Sequence, residues 1–292
     1  MNKEFNKGLL LAGFGSFWWG FLGVLYFKYI TFIGHIELVV HRCLWTTLTL
    51  IITTFFFSKW NIFFTIIKNK KYLIYLFFSG FLIFINWAIW IYAIATNRII
   101  DASFGYFMMP ILSVMLGYIF FKEKLNKKRI FSIILVVISI LYLLLVSLKS
   151  LPWVGLIVAL SWGFYNLIRK KINIDTDIGL LIESLYILPF ALITFYLITV
   201  NGHNDFKLSN PPMMLFIFLA GPMTVIPLFL YVRGVELCGL GPTGMIFYIT
   251  PTLQFLLGYF YYNEPFSLTK LVSFIFIWIA VIIYLKDLYE TN

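Results

Sequence analysis

The chain has 292 residues, of which 62% are hydrophobic and only 12% charged, and its mean hydropathy is +0.95. Soluble domains carry about 25% charged residues, and a soluble fold of this length could not hide so much apolar surface from water. The formal charge of +10 would point a soluble protein toward nucleic acid. Here the lysines and arginines fall in short loops between apolar runs, so the expected partner is anionic membrane lipid and not nucleic acid.

The first seven residues, Met1 to Lys7, are basic and lead into an apolar run without a small-x-small cleavage site. That run reads as a first membrane helix, not a removed signal. A helix needs about 20 apolar residues to cross the hydrocarbon core. Runs of that kind fall at 8–28, 34–57, 72–95, 102–121, 130–148, 152–168, 178–199, 212–232, 242–262 and 268–286. The expected fold is therefore an all-α integral membrane protein of about ten transmembrane helices. A β-barrel would need alternating strands of about ten residues, and these runs are longer and apolar throughout.

Placing the N-terminus inside puts sixteen of the lysines and arginines on the inner side and five on the outer, with Arg42 inside a span. This bias predicts a multi-pass protein with both termini cytoplasmic. Cys43 lies in a span and Cys238 in a loop expected on the opposite side, so no disulfide is expected between them. Nothing in their spacing suggests a metal site.

The chain also resembles itself. A shift of 141 residues carries Gly80 onto Gly221, Pro110 onto Pro251, Gly117 onto Gly258, Tyr118 onto Tyr259 and Glu123 onto Glu264. A weaker match, two residues off, sets Trp19-Gly20 against Trp162-Gly163. Helices 1–5 (residues 1–148) thus repeat as helices 6–10 (residues 149–292). Five is odd, so the second copy enters the membrane from the other side. Inverted repeats of this kind characterise secondary transporters.

Ten helices in two such repeats, with a Pro-to-Glu element ending helices 4 and 9, resemble the drug/metabolite transporter superfamily and its EamA family. The strings Ile36-Glu-Leu-Val-Val-His-Arg-Cys-Leu-Trp45, Ala102-Ser-Phe-Gly-Tyr-Phe-Met-Met-Pro110 and Phe164-Tyr-Asn-Leu-Ile-Arg-Lys-Lys171 are similar to its RarD branch. So are Asn86-Trp87, Leu181-Ile-Glu183 and Pro251-Thr-Leu253. The resemblance runs over nearly the whole chain. It implies a permease of the bacterial inner membrane for a small organic solute, and it fixes no substrate.

An ionisable group inside lipid costs about 2.5–3.5 kcal/mol on insertion scales, so each one needs a reason. Glu37 and His41 share a face of helix 2, and Arg42 lies about 100° round from them. They read either as the polar wall of an outward cavity meeting an anionic group, or as an interhelical salt bridge that fixes packing. Glu183 falls opposite Arg42 under the repeat shift. It reads as a gating or proton-coupling carboxylate, or as a partner for Arg169 or Lys170.

Asn86, Trp87 and Trp90 in helix 3, Trp19 in helix 1, Trp162 and Tyr165 in helix 6, Tyr106 in helix 4, and Tyr248 and Gln254 in helix 9 are mid-span. They are candidates for holding a planar or cationic solute, with ordinary packing as the alternative. Glu123 and Glu264 read as structural anchors, the first near Lys124 or Lys127. Gly117 and Gly258 read as close-contact glycines, and Pro110 and Pro251 as helix kinks.

No catalytic motif, cofactor signature or metal cluster is present in the sequence, so neither an enzyme nor a bound cofactor is expected. The reading that results is alternating access through a central cavity, with protons as a candidate coupling ion. A membrane-embedded structural or assembly protein is the alternative, followed by an intramembrane enzyme using Glu37 and His41.

Overall fold

The computed structural model describes residues 3–30, 32–95, 99–147, 153–206, 211–261 and 268–291, and all regular structure within them is helical. Glu264, Arg98, Lys149 and Lys207 lie outside the described residues. The long helices are α1 (Lys3–Tyr29), α2 (His35–Phe56), α3 (Lys70–Ala95), α4 (Ile99–Phe121) and α5 (Lys127–Ser147). They continue with α6 (Trp153–Ile172), α7 (Thr176–Val200), α8 (Pro211–Cys238), the broken α9 (Leu240–Ile246 and Ile249–Phe260) and α10 (Leu268–Thr291). Among the described residues, five helices (α1, α2, α3, α7 and α8) are long and apolar enough to cross a membrane.

The surface is largely apolar, and charged and polar side chains are buried within an otherwise apolar interior. Phe55, Phe56, Phe57, Leu145, Phe260 and Ile282 point outward, whereas Glu37, Arg42, Asn86, Arg169 and Glu183 are buried. An apolar surface around buried charges departs from the arrangement of a soluble protein. It is stable only where the surrounding solvent is hydrocarbon and the polar groups find partners inside. The chain is a multi-pass membrane protein.

Helix packing follows the repeat. α1 packs on α8 as α6 packs on α3, and α2 packs on α8 as α7 packs on α3. α2 with α7, α4 with α9 and α5 with α10 each pair a helix with its own counterpart. Repeat-related glycines do matching work at two of these contacts. A Cβ on Gly80 would press on the backbone of Glu183 in α7, and one on Gly221 would press on the backbone of Trp45 in α2.

Several local features depart from the hydropathy reading. Helix α1 contains a π-helical turn at Trp19–Gly23, where the Thr250 hydroxyl donates to the Ser16 carbonyl at 2.9 Å. A short helix, Trp60–Ile67, precedes α3 and was not anticipated. Cys238, expected in a loop, closes α8 and is buried; both cysteines are free thiols. The apolar run simply ends before the helix does, because Arg233 and Glu236 extend α8 while pairing with each other at 2.9 Å.

The two repeat-related prolines act differently. α4 runs through Pro110 unbroken, whereas α9 is interrupted before Pro251. Pro251 has no N–H for the Phe247 carbonyl, which instead accepts from Thr250 N at 2.9 Å in a tighter turn.

Candidate binding cavity

A cavity with about 530 Å³ of free space, its open side included, lies where α1, α2, α3, α4, α6 and α9 meet. Its walls are Trp19, Gly23, Phe27, Arg42, Asn86, Trp87, Trp90, Tyr106, Trp162, Phe247, Thr250 and Gln254. Eight of the residues singled out from sequence are thereby brought together: Trp19, Arg42, Asn86, Trp87, Trp90, Tyr106, Trp162 and Gln254.

The cavity sits on the axis relating the repeats. Trp19 and Trp162, matched by the repeat, meet edge to face with ring centroids 5.0 Å apart. Tyr106 and Phe247, which differ by the 141-residue shift, face each other at 6.0 Å. One residue further along, the Tyr248 hydroxyl donates to the carbonyl of its own counterpart, Phe107, at 3.0 Å. The π-helical turn brings Trp19 and Gly23 onto this wall. A Cβ on Gly20 in the same turn would crowd Thr250 and Leu253, so a side chain there would push α1 off α9.

Arg42 is the only charged residue on the wall. Its Nε donates to Thr224 Oγ1 at 3.0 Å. The guanidinium carbon lies 4.7 Å from the Trp87 ring centre, 5.0 Å from Phe27 and 5.7 Å from Trp90. Among the described residues, no carboxylate comes within ion-pair distance of it and no hydrogen bond is made by its terminal nitrogens. Asn86 has its amide nitrogen committed, donating to the Val158 carbonyl at 3.0 Å and to Ser161 Oγ at 3.2 Å. It pins α3 to α6, and no described residue donates to its carbonyl oxygen.

Five residues singled out from sequence lie elsewhere. Glu37 and His41 do not form a cavity wall. Glu37 accepts backbone N–H bonds from Asp205 at 2.9 Å and Phe206 at 3.2 Å, and His41 Nε2 is 3.2 Å from its carboxylate. The pair therefore anchors the loop between α7 and α8.

Glu183 lines a smaller cleft of about 270 Å³ that shares Trp87 with the main cavity. Its carboxylate accepts from Ser79 Oγ at 2.6 Å and Tyr165 at 3.3 Å, and lies 3.5 Å from Arg169. Tyr165 is thus part of this network, and Tyr248 serves α4. The wall residues that the sequence does not single out are Gly23, Phe27, Phe247 and Thr250. The repeat carries a signal for one of them, since Phe247 is the counterpart of Tyr106.

The end of the bundle holding the α6–α7 and α8–α9 junctions is densely paired. Arg169 also approaches Glu236 at 3.6 Å and donates to the Thr176 carbonyl at 3.1 Å. Lys59 bridges Asp177 at 2.8 Å and Asp175 at 3.3 Å, and Arg129 meets Asp287 at 2.8 Å. Among the described residues, neither Lys124 nor Lys127 comes within ion-pair distance of Glu123. Its two carboxylate oxygens accept from Leu240 N at 2.8 Å and Gly241 N at 2.9 Å, capping the start of α9. Gly117 is the room for that carboxylate, not a helix-contact point: a Cβ there would strike it.

Comparison with known proteins places these features in a family. The model of the EamA-like transporter family matches residues 6–145 and again 150–286. Protein RarD of Escherichia coli (strain K12) is 33% identical over 99% of this chain and 97% of its own length. The uncharacterized transporter YojE of Bacillus subtilis (strain 168) is 32% identical over 97% and 95%. A solved crystal structure at 11% identity aligns with a TM-score of 0.68 over 94% of this chain and 96% of that one, a likeness of fold alone.

Proposed function

Because the chain belongs to the EamA-like transporter family, in its RarD branch, we propose that it is a bacterial inner-membrane permease that moves a small organic solute by alternating access through this cavity. The carrying observation is the cavity's position. It lies between the two halves, and its walls include residues the repeat makes equivalent, Trp19 with Trp162 and Tyr106 with Phe247. A site on such an axis keeps its lining when the halves exchange conformations, so one set of side chains can serve a solute from either side.

With both termini in the cytoplasm, as the lysine and arginine bias predicts, the paired end of the bundle is the inner one. The Arg169 network and the Glu123 cap then hold the inner side shut, and the solute enters from outside in this state. Opening inward requires the contacts of Arg169, Glu183 and Glu236 to part. Glu183 and Glu37 act here as latches, because their oxygens are already occupied. That arrangement also counts against an intramembrane enzyme built on Glu37 and His41, whose pair faces a loop and not the cavity.

The test is reconstitution into liposomes loaded with a mixture of small metabolites, followed by mass-spectrometric comparison with protein-free vesicles. Protein-dependent, saturable movement of at least one organic solute is expected. If none moves in either direction while the protein stays folded in the bilayer, the permease reading fails.

A further inference from the structure

Arg42 shares a wall with aromatic rings, yet among the described residues no negative charge balances it. The cost of placing a guanidinium in a membrane interior is normally met by pairing, and the other buried arginines obey that rule: Arg169 has Glu183 and Glu236, and Arg129 has Asp287. Arg42 has one hydroxyl, on Thr224, and three ring faces. A guanidinium cannot shed its proton in a protein, and it offers five N–H donors, of which Thr224 takes one. The terminal donors have no partner among the described residues.

The rest of the wall agrees with this charge. Among the described residues it carries no acidic side chain. The Tyr106 hydroxyl and the Gln254 amide also lack hydrogen-bond partners among the described residues, so donors are available on α4 and α9 as well as α2. The aromatic faces of Phe27, Trp87 and Trp90 are already turned to a resident cation, which leaves them poorly placed to cage a second one. Trp19, Trp162 and Phe247 form a separate ring cluster, with Trp162 and Phe247 6.2 Å apart. That cluster offers flat apolar surface and no charge. A wall with a cationic fork on one side and an uncharged cluster of aromatic rings on the other fits a planar solute carrying one anionic group.

We propose that the cavity selects a planar organic carboxylate, with Arg42 receiving the carboxylate and the Trp19, Trp162 and Phe247 rings receiving its flat body. A carboxylate matches the fork of an arginine in two parallel hydrogen bonds, which a neutral amide or an ammonium cannot do. Binding supplies a counter-charge that no described residue provides, so the substrate completes the electrostatics of the site. The proposal rests on the permease reading for calling the ligand a substrate.

The experiment uses the full-length protein in detergent micelles and two arenes, benzene and indole. Each is offered as its carboxylate, its carboxamide and its methylammonium derivative, with cyclohexanecarboxylate as the non-planar control. Binding is read by the rise in melting temperature and by tryptophan fluorescence. For at least one arene, the carboxylate is expected to bind about tenfold or more tighter than its amide and its ammonium partner, and benzoate tighter than cyclohexanecarboxylate. Arg42→Gln should bring carboxylate and amide together, and Arg42→Lys should restore part of the gap as charge without a fork.

If Arg42→Gln does not fold, the charge series on the unaltered protein decides. Equal binding of all three forms, no binding by any of them, or a preference for ammonium overturns the proposal. A carboxylate preference that survives in Arg42→Gln overturns the role of Arg42, and cyclohexanecarboxylate matching benzoate overturns the planar requirement. Carboxylate-selective binding with no solute movement in liposomes would remove the permease reading and leave the anion site standing. Protein-dependent movement of cations would do the reverse.

Discussion

Arg42 and Arg169 are the same residue type, each buried among apolar helices, and they are treated in opposite ways. Arg169 has no exposed surface. It contacts two carboxylates and a backbone carbonyl drawn from α7 and α8, and its guanidinium occupies the space where Gly179 lacks a Cβ. Arg42 touches a single hydroxyl and three rings. A cation whose counter-charges are built into the chain ties helices together. A cation without one stands ready for a charge brought from outside. Removing Arg169 leaves the buried Glu183 carboxylate without a cation, whereas removing Arg42 strands no carboxylate among the described residues.

The largest expected effect tests the first half of that contrast. Arg169→Ala should destabilise the protein by about 3–5 kcal/mol, because Glu183 loses its cation in a low-dielectric interior while Glu236 keeps only Arg233. The measurement is the melting transition in detergent together with the amount of folded protein in the membrane. A variant that melts with the parent would break the comparison.

Next is Glu123→Ala, which strips two charge-assisted hydrogen bonds from the first turn of α9 and should cost about 2–3 kcal/mol in the same melt. Arg42→Gln should cost only about 1 kcal/mol, from one hydrogen bond and the ring contacts. A loss as large as that of Arg169→Ala would show Arg42 to be structural. The smallest effect sharpens the picture of the shared wall. A double-mutant cycle of Trp19→Leu and Trp162→Leu should give a coupling of about 0.5–1.5 kcal/mol for the edge-to-face pair.

Much of the cavity was legible because mid-span polar and indole groups are expensive or unusual in lipid. Arg42, Asn86, Trp87 and Gln254 draw notice for that reason alone. Phe27 and Phe247 carry no such mark in a chain with 33 phenylalanines, and only the repeat or the fold picks them out. Glu37, His41 and Glu183 were equally conspicuous, but conspicuous residues divide into those that meet a ligand and those that meet each other. His41 and Glu37 are one helical turn apart, so their contact could be anticipated. The bonds from Glu37 to Asp205 and Phe206 could not, since 168 and 169 residues separate them.

The membrane class, the doubling of the chain and the identity of the costly groups could be read from residue order. Hydropathy and internal similarity are properties of the string itself, and a charge in an apolar run is costly wherever the run folds. Which of those charges are compensated was decided only in three dimensions. Compensation depends on distances of a few ångströms between helices far apart in sequence, and packing sets those distances.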